Sequence, residues 1–99
     1  MKSQIDALRK LIEAAAVADE VEGLKLFAAA RVIADIMEDR LESEETPGRA
    51  YTLEKLSEVL DSFRQAVMPE GGRLTRKEQL EDAGFGLSHV EELVSQEKK

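Results

Sequence analysis

The chain has no cysteine, no tryptophan, one histidine, one tyrosine and two prolines in 99 residues. Without cysteine there is no disulfide scaffold, no thiolate zinc site and no thiol nucleophile. A single histidine excludes His-pair metal motifs. Four aromatic rings leave little for stacking nucleobases. Long apolar runs are missing too. The most apolar stretch, residues 24–37, is interrupted by Lys25, Arg31 and Asp35, whereas a bilayer span needs roughly 18 uninterrupted apolar residues. The start, Met1 to Asp6, is polar and leads into no signal-peptide pattern. The expected compartment is the cytoplasm, with no membrane partner.

Positive charge is also scarce. The formal net charge is −7. Residues 1–46 carry 6 basic and 11 acidic side chains, net −5, and residues 47–99 carry 8 and 10, net −2. Affinity for nucleic acid comes largely from neutralised phosphates, so an acidic chain is better matched to a basic partner protein.

What the chain does contain is helical periodicity in one domain, residues 1–99. Ser3 and Asp6 have the form of a helix start, followed by Ile5, Leu8, Leu11, Ile12 and Ala15 at three- and four-residue spacing. Gly23 is expected to break this helix from the next, around Asp19 to Glu22, or to interrupt one long helix. A second helix is expected from Leu24 to about Ser43. It gathers Leu26, Ala29, Ala30, Ile33, Ile36, Met37 and Leu41 on one side and Asp35, Glu38, Asp39 and Glu42 on the other. Pro47 and Gly48 mark a loop over 47–51. Thr52 is expected to cap a third helix with Leu53, Leu56, Leu60, Phe63 and Val67 inward. Met68 to Gly72 ends it.

Thr75 and Glu78 then form a capping box for a fourth, short helix. Gly84-Phe85-Gly86 is expected to break that helix, and Ser88 with Glu91 to open a fifth. The expected fold is all-α: a small bundle of two long N-terminal helices, a third, and a short C-terminal pair. Helices one and two carry enough Leu, Ile and Ala to pair with a second copy as a homodimeric four-helix bundle.

Residues 75–94 resemble a DNA-binding helix-turn-helix. Gly84 takes the place of the turn glycine, and Leu80, Ala83, Phe85, Val90 and Leu93 fall on the inward positions of that motif. The resemblance covers about 20 residues and implies a DNA-binding transcriptional regulator dimerised through helices one and two. Its DNA contacts would be Arg73, Arg76, Lys77, Ser88 and His89. Against it, the would-be recognition helix carries Glu91 and Glu92, which are costly in a groove lined by phosphates.

No other pattern carries chemistry. Asp35, Glu38, Asp39 and Glu42 lack the Glu-x-x-His partners of di-metal bundles and the loop of a calcium site. His89 has no companion nucleophile and base. Gly71-Gly72-Arg73 lacks the frame of a phosphate loop and reads as a hinge. No enzyme activity, metal or cofactor is expected. The leading expectation is a non-enzymatic regulatory or inhibitory module. Its acidic second helix, through Leu24, Phe27, Asp35, Glu38, Asp39 and Glu42, would dock on a partner protein with a basic surface. Leu24 and Phe27 either pack under the third helix or form an exposed patch. The helix-turn-helix regulator is the alternative.

Overall fold

A computed structural model describes residues 2–43, 48–68 and 75–97. Four helices follow one another: α1 (Lys2–Ala15), α2 (Glu20–Ser43), α3 (Arg49–Val67) and α4 (Arg76–Glu97). There is no strand among the described residues. α1 packs on α2 and α4, and α3 packs on α2 and α4, which closes a ring around one core.

Contacts between named residues give the directions. Phe27 meets Phe63 and Gly23 approaches Val67, so α2 and α3 run opposite ways. Gln65 bonds Gln79 while Tyr51 meets His89, so α3 and α4 are also antiparallel. Arg76 reaches Ala15 and Ala18 while Arg9 reaches Glu91, so α4 reverses α1. The result is an up-down-up-down bundle.

α1 and α3 bury the stripe that their spacing provides. α1 buries Ile5, Leu8, Ile12 and Ala15. α3 buries Thr52, Leu56, Val59, Leu60, Phe63, Ala66 and Val67. Burying each of the larger side chains contributes about 1.5–3 kcal/mol.

The first helix boundary falls earlier than Gly23. α1 ends at Ala15, and three successive i to i+3 amide bonds, from Ala16, Val17 and Ala18, tighten its exit. Asp19 then caps α2: its Oδ1 accepts from the Glu22 amide at 2.8 Å. Glu20 and Glu22 lie in the first turn, where the helix dipole favours acids. The acids that would be unfavourable at a helix C-terminus thus begin a helix. Gly23 is inside it and buried.

Three further expectations are corrected. Ser3 lies within α1, and its hydroxyl donates to Gln4 Oε1. Thr52 is not a cap, because α3 begins at Arg49 after Gly48, whose φ of 82° only glycine adopts easily. The Thr52 hydroxyl is buried and donates to the Gly48 carbonyl at 3.1 Å. The short C-terminal pair is a single 22-residue helix, α4. The loop expected over 47–51 is shorter than that, because α3 already begins at Arg49. Pro47 itself and the turn expected at Gly71–Gly72 lie outside the described residues.

The Thr75–Glu78 box is formed as expected. The Glu78 amide donates to Thr75 Oγ1 at 3.2 Å, and the Thr75 amide donates to Glu78 Oε1 at 3.3 Å. From there α4 runs through Gly84-Phe85-Gly86 without a break. Two helical glycines cost about 2 kcal/mol against alanine. The continuous stripe Leu80, Ala83, Leu87, Val90 and Val94, all buried, outweighs that cost.

Candidate interaction surface

Side chains directed away from the core define the surface. On α2, Leu24 is 41% exposed, while Phe27 is half-buried with its ring 5.9 Å from that of Phe63. The two therefore separate: Phe27 packs on α3 and Leu24 stays at the surface. Asp35, Asp39 and Glu42 are exposed and Glu38 is half-buried. Asp35 pairs with Arg31 one turn back at 3.6 Å. The Glu42 carbonyl accepts from Arg49 Nη1 at 3.0 Å, which ties the end of α2 to the start of α3. The four carboxylates share one side of α2 but spread over two turns. Among the described residues no three His, Asp or Glu side chains converge as metal ligands would.

Between α2 and α3 a cleft of about 200 Å³ is lined by Phe27, Arg31, Glu38, Ser57, Asp61 and Arg64, with Leu60 at its floor. That is smaller than a drug-sized site of roughly 300–1,000 Å³. Two carboxylates, Glu38 and Asp61, and two guanidiniums, Arg31 and Arg64, line it, so the cleft has no dominant sign.

The residues of the DNA alternative are placed quite differently from a groove reader. The turn at Gly84 is absent, because α4 is continuous. Phe85, expected inward, is 74% exposed. Arg76 is half-buried and donates to the carbonyls of Ala15 and Ala18, where it serves the open C-terminus of α1. Ser88 lies mid-helix, and its hydroxyl accepts from Arg9 Nη2 at 3.4 Å. His89 sets its ring edge-on to Tyr51 at 5.6 Å. Lys77 is exposed. Arg73, Lys98 and Lys99 lie outside the described residues.

Tyr51, Lys55 and His89 form a small cluster on the α3–α4 seam. The Lys55 ammonium sits 5.3 Å from the Tyr51 ring centroid and 3.1 Å from Glu58 Oε2. The hydrogen bond to Glu58 holds the Lys55 amine above its ordinary 10.5.

The apolar groups that stand outside the core are the more informative ones. Ala29 and Ile36, which the spacing assigned inward, are exposed, Ile36 by 51%. Val21 and Val32, which it assigned to neither side, are 63% and 60% exposed on the same helix. The one available signal was that α2 is apolar around more of its circumference than one neighbour needs. On α4, Phe85 is surrounded at helical spacing by Glu78, Glu81, Asp82 and Glu92, all exposed. Among the described residues no helix is long and apolar enough to cross a membrane. Comparison with protein-family models, curated proteins and solved structures finds no match for this chain.

Proposed function

We propose that the protein is a non-enzymatic regulatory or inhibitory module that docks an acidic helical surface on a partner protein with basic side chains. One observation supports this above others: large apolar side chains stand in solvent with carboxylates around them. Phe85 on α4 has Glu78, Glu81, Asp82 and Glu92 about it, and Leu24 on α2 lies on the side that carries Asp35 and Glu42. A surface of that kind offers an apolar anchor for affinity and a negative rim for steering a basic partner.

The edge of α2 carrying Asp35, Glu38, Asp39 and Glu42 is the docking edge in this reading, with Leu24 at its N-terminal end and Phe27 beside it. The net charge of −7 adds long-range attraction toward basic surfaces. A pull-down at moderate salt tests it. The wild-type chain should recover a specific protein, and Glu38→Lys with Glu42→Lys should lose it. If neither form retains a specific protein, the reading fails. DNA binding is the weaker proposal, since Arg76 already serves the α1 carbonyls. It predicts a gel shift whose affinity falls steeply with salt.

A further inference from the structure

The side of α2 turned away from the core is not acidic but apolar with one charge toward each end. At about 100° per residue, Val21, Lys25, Ala28, Ala29, Val32, Ile36 and Asp39 fall within one arc of about 100°. That arc lies opposite Gly23, Ala30, Ala34, Met37 and Leu41, which are buried. All seven side chains of the arc are exposed. Neither Lys25 nor Asp39 makes an ion pair among the described residues. The strip runs about 27 Å along the helix.

We propose that this strip is a homodimer interface, in which α2 of one copy lies antiparallel on α2 of a second about a twofold axis at Val32. The spacing of the residues carries the proposal. Lys25 lies seven residues before Val32 and Asp39 seven residues after it. Antiparallel pairing about Val32 therefore sets Lys25 against Asp39 of the second copy, twice. The same symmetry sets Ala28 against Ile36 of the second copy, small against large, again twice. Val32 meets its own copy at the axis. Parallel pairing would oppose lysine to lysine and aspartate to aspartate, so charge selects both the orientation and the register.

A twofold interface is isologous, so one strip serves as both donor and acceptor surface. Docking one helix per copy buries less than the roughly 800 Å² per partner of a standard interface. The dimer is accordingly concentration-dependent. Asp35 and Glu42 lie at the margin of the strip, so a dimer presents the acidic edge of the docking surface twice. The dimer does not depend on that docking reading, and its test uses the purified chain alone.

The test is sedimentation of the full chain from about 1 µM to 1 mM. The wild type should rise from 11.0 kDa toward twice that mass. Val32→Glu should stay monomeric throughout while its circular dichroism remains helical, because the position is exposed. Lys25→Glu and Asp39→Lys should each weaken the dimer at least tenfold, and the double exchange, Lys25→Glu with Asp39→Lys, should restore it. A wild type that stays monomeric at 1 mM overturns the proposal. So does a dimer indifferent to Val32→Glu, or a double exchange that fails to recover association. Partner capture by the Val32→Glu chain would still report on the docking edge, so the two readings fail separately.

Discussion

A Cβ placed on Gly86 would stand 2.8 Å from Cγ2 of Val59. Val59 is buried and, being β-branched, has little freedom to rotate away. The glycine is what lets α4 lie close on α3. Two residues earlier, a Cβ on Gly84 would meet nothing within 4 Å. Identical substitutions at the two glycines should therefore have opposite signs. Gly86→Ala should destabilise by about 1–3 kcal/mol through overpacking. Gly84→Ala should stabilise by about 0.5–1 kcal/mol through helix propensity. Urea unfolding of both variants reads the difference directly.

Arg76 belongs to α4 but serves α1, whose last turn has no basic residue of its own. Arg76→Ala should cost about 1.5–3 kcal/mol, the range for a charged hydrogen bond removed from a half-buried site. Lys77→Ala, one residue along and exposed, should change stability by no more than about 0.5 kcal/mol. Equal effects in denaturant would remove the capping role.

Asp19 is the residue that turns a run of acids into the beginning of a helix. Asp19→Ala should cost about 1 kcal/mol by freeing the Glu22 amide. Asp19→Asn should retain most of the stability, since the cap needs an acceptor oxygen. Thermal melts of the two variants check this.

Lys55 should titrate above an ordinary lysine, because Glu58 bonds its ammonium. A pKa raised in the folded state stabilises below the unfolded value of 10.5, and that contribution is lost as pH rises through the folded value. Glu58→Gln should return Lys55 toward 10.5, followed through the Lys55 side-chain NMR shifts over alkaline pH.

The all-helical class was legible from spacing alone, and so was the Thr75–Glu78 box, because both depend on residues within one or two turns. The stripe Leu56, Leu60, Phe63 and Val67 was legible for the same reason. Gly84-Phe85-Gly86 was misread because local glycine propensity points to a break. The cost of two helical glycines is overridden only by what α3 and α1 supply to Leu80, Ala83, Leu87, Val90 and Val94, and that supply is a property of the whole bundle. Thr52 was misread likewise. A threonine ahead of an acidic turn has the pattern of a cap, yet Gly48, with its positive φ, starts the helix earlier.

At the surface, the carboxylates of α2 were legible as one side of a wheel. The outward strip through Val32 was not, because periodicity reveals how many faces are apolar but not which face meets a neighbour. Ile36 was placed inward on that ground and stands half in solvent.

The ties between α1 and α4 set an order for biosynthesis. Arg9 finds Ser88 and Glu91, and the carbonyls of Ala15 and Ala18 find Arg76, across separations of 58 to 82 residues. α1 leaves the ribosome before α4, and its apolar stripe has no complete berth until α4 has emerged. A nascent chain stalled before Leu87 would hold Ile5, Leu8 and Ile12 covered by α2 alone, with the side meant for α4 open to a chaperone or another chain.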